Sequence, residues 1–219
     1  MTIDNLVDPE PIPVTVQPHG LKGLLGVPRA AKGIVIFAHG SGSGRLSPRN
    51  NHVARGLRKA GLGTLLIDLL TTAEAQDRAN VFDIPLLASR LAGATEWMRL
   101  LPEFAELPVG YFGASTGAGA ALLAASRAGG GIAAIVSRGG RPDLAGMAAL
   151  ERVRSPTLLI VGSLDVPVIE LNRTALQHLH AESELVIVPG ASHLFEEART
   201  LDQVIDHAAR WFVRHFKED

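Results

Sequence analysis

Three polar residues that could act together as nucleophile, acid and base each follow a predicted strand. Ser115 lies in GASTG, after one apolar run and before an alanine-rich one. Asp165 follows the run LLIVG, and His193 follows ELVIVPG. A serine that is activated by a histidine, itself oriented by a carboxylate, can attack a carbonyl carbon and form an acyl-enzyme. The order serine, aspartate, histidine, each at the end of a strand, predicts such a triad at one edge of a sheet.

The glycines on either side of Ser115 have a physical reason at a junction between strand and helix. A strained turn that lifts the serine above the sheet leaves no room for side chains two residues before and after it. Gly113 and Gly117 remove those side chains. The following helix also directs its positive end at the site, which favours a developing anion. Without this setting, the same segment could be a tight turn that happens to contain a hydroxyl.

The loop HGSGSGR, which follows another apolar run, predicts the second half of an oxyanion hole. One backbone N–H would come from Thr116, the residue after the nucleophile, and the other from Ser41. Gly40 and Gly42 beside it would let the main chain approach a substrate carbonyl. A phosphate-binding loop is the competing interpretation, but the segment lacks the lysine of a Walker motif and the G-x-G-x-x-G spacing.

Other polar residues near strand ends have two interpretations each. Arg138 and Arg141 could hold a substrate carboxylate or phosphate, or could pair with Asp143 and fix their loop. Asp143 is also a second candidate for the acid, ranked below Asp165 because it lies further from its strand. We expect His39 to brace the glycine loop by hydrogen bonds. His178 and His180 are two apart on a predicted helix and so do not share a face, and we expect no metal site.

Strands alternate with helices along the chain, which predicts a parallel sheet with helices on both faces. We expect an edge hairpin over residues 13–28 and a flexible tail over 1–11, with one domain over 12–219. Asn50 is a candidate cap of the first helix. The predicted strands are 33–40, 64–70, 108–112, 132–137, 155–162 and 184–190, and the predicted helices are 50–61, 84–101, 115–128, 168–180 and 200–216.

Composition bounds the class of protein. The 219 residues are 47% hydrophobic and 20% charged, which is enough apolar material for a core. The net charge of −1, without long runs of one sign, gives no indication of nucleic acid or an anionic membrane as partner. The absence of cysteine excludes disulfides and thiolate chemistry. The N-terminus lacks the basic and apolar regions of a signal peptide, so we expect a cytoplasmic protein.

The segments FAHGSGSG, GASTGA, GSLDVPV and GASHLF together resemble the α/β-hydrolase superfamily, and within it a small dienelactone-hydrolase-like protein. The resemblance spans about residues 20–216. It implies an eight-stranded, mostly parallel sheet with a Ser–His–Asp triad and no cofactor. Dienelactone hydrolases proper use a cysteine nucleophile, whereas this chain has Ser115 in that place, which favours a serine esterase. Only 18 residues separate the strands predicted at 132–137 and 156–161, so we expect no cap domain.

The main hypothesis is a metal-independent serine hydrolase that cleaves a small carboxylic ester, thioester or lactone. Acyl transfer or perhydrolysis on the same triad is a second hypothesis, because only the nucleophile that resolves the acyl-enzyme differs. A third is a non-catalytic small-molecule binding protein or receptor on the same fold. The sequence leaves the substrate and the oligomeric state open.

Overall fold

The structure, a computed structural model, describes residues 10–216. Most of the predicted tail, residues 1–9, lies outside the described residues. The strands of the described chain are β1 (Ile12–Val16), β2 (Leu21–Gly26), β3 (Ile34–Ala38), β4 (Gly63–Ile67), β5 (Val109–Ala114), β6 (Ala134–Arg138), β7 (Thr157–Gly162) and β8 (Ser183–Val188).

Helices connect the strands. They are α1 (Pro48–Lys59), α2 (Arg78–Val81), α3 (Ile84–Arg99), α4 (Thr116–Arg127), α5 (Met147–Leu150), α6 (Val166–His178) and α7 (Thr200–His215), with short 3₁₀ segments at Glu74–Gln76 and Pro142–Ala145. Among these described helices, none combines the length and the apolar content that a bilayer crossing requires.

The eight strands form one sheet in the order β1-β2-β4-β3-β5-β6-β7-β8. The pairs β1–β2 and β2–β4 are antiparallel, and the remaining pairs are parallel. The predicted edge hairpin and the predicted mostly parallel, eight-stranded sheet are therefore confirmed. The parallel strands all end at one edge of the sheet, where ligands bind in folds of this kind.

Two layers of apolar side chains cover the sheet, one on each face. On one face, α1 and α7 pack their buried side chains against the strands, chiefly Val53, Leu57, Val204, Trp211 and Phe212. On the other face, α3 and α4 do the same, chiefly with Leu91, Met98, Ala121 and Leu122. The central strands β3 to β7 are buried on both sides, which explains why their sequences are continuous apolar runs rather than alternating ones.

Several element boundaries differ from the sequence prediction by a few residues. Strand β4 ends at Ile67 rather than at residue 70, and the Asp68 carboxylate that follows it accepts the Arg45 backbone N–H at 2.7 Å. The prediction of Asn50 as cap of the first helix was wrong. Helix α1 begins at Pro48, a residue suited to a first helical position, and is capped by the Ser47 hydroxyl.

The expected absence of a cap domain is confirmed. Between β6 and β7, the described chain contains only the 3₁₀ segment at Pro142–Ala145 and the one-turn helix α5. The carboxyl edge of the sheet is therefore covered by loops alone in this region.

Strand β5 and helix α3 are joined by a buried hydrogen bond that offers a test of the core. The Thr95 hydroxyl donates to Leu91 O at 3.1 Å, so the Tyr111 hydroxyl donates to Thr95 Oγ1 at 2.7 Å. Burial raises the pKa of Tyr111 to about 12. We expect Tyr111→Phe to lower the free energy of unfolding by about 1 kcal/mol.

Thr95→Val should lower the free energy of unfolding more, by about 1–3 kcal/mol, because the Tyr111 hydroxyl would then be buried without an acceptor. Urea unfolding of both variants shows which substitution lowers the free energy of unfolding more. An equal or reversed order would contradict the assigned donor direction.

Candidate active site

The turn between β5 and α4 holds Ser115 in a strained conformation. Its φ is 50° and its ψ −122°, which side-chain-bearing residues rarely adopt. A Cβ atom on Gly117 would lie 2.1 Å from Ala38 O, and one on Gly113 would lie 2.5 Å from Ala118 Cα. The two glycines are therefore required by direct contact between backbones. The Ser115 side chain makes no capping hydrogen bond, so its hydroxyl is left for the cavity.

The structure brings His193 and Asp165 together. Asp165 is the N-cap residue of α6, and its Oδ2 lies 2.6 Å from Nδ1 of His193 in the loop after β8. A carboxylate only accepts hydrogen bonds, so Nδ1 carries the proton and Nε2 is left as a base. The Asp165 side chain is 13% exposed and the His193 side chain 39%. Ser115 and His193 line the same cavity, and no hydrogen bond joins them in this structure.

Asp143, the second candidate for the acid, lies elsewhere. Its two carboxylate oxygens accept from Nε and Nη2 of Arg141 at 2.8 and 2.7 Å. This two-pronged ion pair raises the pKa of Arg141. Arg141 is not among the residues that line the cavity beside Ser115, because its guanidinium is held by Asp143 within the loop. The pairing that the sequence left open as an alternative to substrate binding is the one found for Arg141.

The loop after β3 approaches the nucleophile closely, but its amide is arranged differently from the expectation. A Cβ atom on Gly40 would lie 3.0 Å from the Ser115 Cβ, and Gly42 has a φ of +71°. The backbone N–H of Ser41, predicted to face a substrate oxygen, donates to Oγ1 of Thr116 at 3.0 Å. The Ser41 amide, one of the two predicted oxyanion donors, is thus hydrogen-bonded to the Thr116 side chain.

His39 braces this loop as expected, and its contacts establish its tautomer. The Leu69 N–H donates to Nε2 at 3.0 Å, so the proton is on Nδ1, which donates to Gly40 O at 3.0 Å. Burial lowers the pKa of His39, although the hydrogen bond to Gly40 and the charge of Asp68 oppose that shift. The neutral imidazole therefore ties the glycine loop to the chain after β4.

Two cavities open on either side of the glycine loop. One has a volume of about 680 Å³ and is lined by Ser115, His193 and Arg138 together with the loop itself. The other has a volume of about 440 Å³, shares Ser41 with the first and is lined by Thr116. Its remaining wall is largely apolar and includes Leu70, Ala75, Val81 and Leu87.

Arg138, at the end of β6, places a buried guanidinium in the wall of the larger cavity. The residue is 7% exposed, and Nη1 donates to Leu194 O over a long 3.5 Å. Nε is buried without a hydrogen-bond partner, and Arg138 forms no ion pair with any acidic residue of the described chain. Burial, with the charge of Arg49 adding to it, lowers the pKa of Arg138 to about 10. The site therefore holds an unpaired positive charge.

Sequence reasoning missed two carboxylates that hold the loops of the site. Glu197 accepts the Ser192 N–H at 3.0 Å, and this contact lowers its pKa. Asp68 binds both the backbone and the guanidinium of Arg45 in the glycine loop. Neither has a sequence signature, because Asp68 contacts a residue 23 positions away and Glu197 accepts within an irregular loop that follows no repeating pattern. In the described residues, no group of three or more histidine and acidic side chains could hold a metal ion.

The fold and the site define an α/β-hydrolase: a doubly covered, mostly parallel sheet with the serine turn after β5 and an Asp–His pair after β7 and β8. No family model matches the chain. The crystal structure of a dienelactone hydrolase from Anabaena variabilis is 53% identical, covers 96% of this chain, is itself covered completely and superposes with a TM-score of 0.91. The chain belongs to the dienelactone hydrolase family.

Other comparisons are more distant or cover less. Est1E from Butyrivibrio proteoclasticus shares the fold, with 14% identity, a TM-score of 0.79 and coverage of 95% of this chain and 100% of its own. Two Mycobacterium tuberculosis proteins, provisionally named phosphoribosyl transferases, are 54% identical over 97% of this chain. The chain spans 49% of the length of these relatives.

The neutral state of His39 predicts an acid-sensitive stability. Its pKa is lowered below the ordinary value of 6.5 in the folded protein. Below that pH the unfolded chain binds a proton that the folded chain does not, so the free energy of unfolding should fall as the pH falls. His39→Gln keeps an acceptor for the Leu69 N–H but does not titrate, so it should lose less stability on acidification.

Urea unfolding at a neutral and a mildly acidic pH, with the exposed-site variant His180→Gln as control, checks this. The control should follow the wild type. Equal acid sensitivity in the wild type and in His39→Gln would contradict the role given to His39.

Proposed function

We propose that the protein is a serine hydrolase that cleaves a small carboxylic ester, thioester or lactone through an acyl-enzyme. The observation that carries the proposal is the 2.6 Å contact between His193 Nδ1 and Asp165, which leaves Nε2 as a base in the cavity that Ser115 lines. The strained turn, which is costly, supports a role for the Ser115 hydroxyl.

The proposed reaction has two halves. His193 Nε2 takes the proton of Ser115 as its oxygen attacks the carbonyl carbon, and returns that proton to the leaving group. Asp165 keeps the proton on Nδ1 and stabilises the imidazolium. The oxyanion lies at the start of α4, where the Thr116 N–H and the positive end of the helix dipole stabilise its negative charge. Water then attacks the acyl-enzyme in the same way. An acyl acceptor other than water would make the protein an acyltransferase.

The two cavities support a model in which the leaving group and the acyl group of the substrate bind in different cavities. The leaving group must lie beside His193, which donates a proton to it, and His193 lines the larger cavity but not the smaller one. The smaller cavity adjoins Thr116 and Ser41 and offers the apolar side chains of Val81 and Leu87. We therefore assign the leaving group to the larger cavity and an apolar acyl group to the smaller.

The position of Arg138 supports a substrate whose leaving group carries an anionic group. A buried guanidinium without a carboxylate partner is unfavourable until an anion pairs with it. Its place in the wall of the larger cavity, beside Arg49, gives that anion a position near Ser115. A carboxylate or a phosphate would satisfy the guanidinium equally. The pairing of Arg141 with Asp143 argues against the same role for Arg141.

The provisional name of the mycobacterial relatives does not by itself assign an activity to this chain. Those proteins are about twice as long as the matched region, since the chain spans 49% of them. The geometry around Ser115 and His193 supports acyl chemistry, and the name gives no residue of this chain a role.

Substitutions at the triad test the proposal. Ser115→Ala should lower kcat for p-nitrophenyl acetate by about 10⁴-fold or more, because the proposed triad acts as a unit. Asp165→Asn should lower kcat by about 10³–10⁴-fold, since the wrong histidine tautomer would be favoured. Asp143→Asn is the matched control and should change kcat little, because Asp143 pairs with Arg141. Steady-state turnover of folded variants, checked by thermal melting, gives the comparison.

Two outcomes would contradict the assignment. A crippling effect of Asp143→Asn with an active Asp165→Asn would mean that the acid is misassigned. Wild-type protein that releases one equivalent of p-nitrophenol and then stops would favour the binding-protein or receptor hypothesis over a hydrolase.

Removing the cavity guanidinium tests the anion site. We compare 4-acetoxybenzoate, whose leaving group carries a carboxylate, with its neutral methyl ester. Arg138→Gln should lower the ratio of their kcat/KM values by about 10-fold or more, which corresponds to the loss of one charged hydrogen bond. Arg141→Gln should leave the ratio unchanged. An unchanged ratio in Arg138→Gln would exclude Arg138 from substrate binding.

A further inference from the structure

The Thr116 hydroxyl lies beside the expected oxyanion site, and an oxyanion hole made only of the Thr116 and Ser41 backbone N–H groups does not use it. The Ser41 N–H, the expected second donor, is directed at Thr116 Oγ1, 3.0 Å away. An amide has one proton, and a hydrogen bond to the threonine takes it away from a substrate oxygen. The contact joins residues 75 positions apart, so it depends on the packing of the glycine loop against α4.

The Thr116 hydroxyl has a proton to give. A hydroxyl can accept hydrogen bonds and also donate one. Thr116 Oγ1 accepts from Ser41, and none of the hydrogen bonds of the described chain gives its own proton an acceptor. The residue is only 6% exposed, and it lines the smaller cavity beside Ser41. A buried hydroxyl proton without an acceptor is unfavourable until a ligand supplies one.

The position of Thr116 suits a ligand that carries a developing negative charge. Thr116 is the first residue of α4, so its backbone N–H has no acceptor within the helix. Its amide nitrogen and its hydroxyl oxygen belong to one residue and lie close together, so both can donate to a single oxygen atom. The adjacent Ser115 is the proposed nucleophile.

We propose that the Thr116 side-chain hydroxyl is an oxyanion donor. In this arrangement the oxyanion accepts from the Thr116 N–H and from the Thr116 O–H. The Ser41 amide orients the hydroxyl by donating to its oxygen, and does not itself contact the substrate. No proton is transferred from Thr116, because the proton of Ser115 goes to His193 and then to the leaving group. The inference rests on the proposed hydrolase function and goes beyond it in assigning this donor.

The alternative is that Thr116 rotates away when substrate binds and frees the Ser41 amide. The two arrangements predict opposite effects of removing the hydroxyl. If the hydroxyl is a donor, its loss slows the reaction. If it only occupies the amide, its loss leaves the rate unchanged or raises it.

The test is Thr116→Val, compared with the conservative variant Thr116→Ser. Valine keeps the volume and branching of threonine and can rotate as threonine would, so the substitution removes only the hydroxyl. Removing one oxyanion donor costs about 10²–10³-fold in kcat. We therefore expect Thr116→Val to lower kcat for p-nitrophenyl acetate by about 100-fold with little change in KM, and Thr116→Ser to stay within a few fold of the wild type.

A second readout separates donation from a structural role. A fluorophosphonate places its phosphonyl oxygen where the oxyanion forms, so its rate of reaction with Ser115 should fall in Thr116→Val in parallel with kcat. The melting temperature should change little, and Thr116→Ser should restore both rates. A Thr116→Val protein that is folded and as fast as the wild type would overturn the inference.

The outcomes for the inference and for the proposed function are distinct. If the wild type turns over esters and Thr116→Val does so equally well, only the role of Thr116 fails. If the wild type neither turns over esters nor reacts with the fluorophosphonate, the proposed hydrolase fails and the donor role falls with it.

Discussion

The site depends on one contact, between the first turn of α4 and the end of β3. A Cβ atom on Gly117 would lie 2.1 Å from Ala38 O, so the helix can approach the strand this closely only where a glycine stands. This approach forces the strained turn at Ser115 and brings Thr116 to within 3.0 Å of the Ser41 amide. Every proposed donor to the oxyanion is positioned by that single backbone contact.

Burial lowers the pKa of two basic groups at the same edge of the sheet but leaves them in different charge states. His39 is kept neutral, because it must accept from the Leu69 N–H while it donates to Gly40 O. Arg138 keeps its charge even with a pKa lowered to about 10. The neutral group stabilises the loop, whereas the charged group is left unpaired in the cavity wall. That difference is what we expect if one residue is structural and the other meets a ligand.

The sequence predicts well whatever rests on local sterics or on the order of strands. The glycines around Ser115, the apolar strands and the strand-end positions of Asp165 and His193 are of this kind. Contacts between distant loops are not predictable in this way. The Ser41–Thr116 hydrogen bond depends on how closely two loops pack, and a side chain can intercept an amide without any pattern in the sequence. The sequence could not decide whether Arg141 pairs with Asp143 or with a ligand for a similar reason, since a nearby carboxylate and an anionic ligand suit a guanidinium equally.

The most direct test of the account is intact-mass measurement after treatment with a fluorophosphonate, on the wild type and on Ser115→Ala. The account predicts one adduct per wild-type chain and none on the folded variant, because only an activated serine reacts. A folded wild type that gains no adduct, or a variant that is labelled as fully as the wild type, would contradict the claim that Ser115 is the nucleophile of this protein.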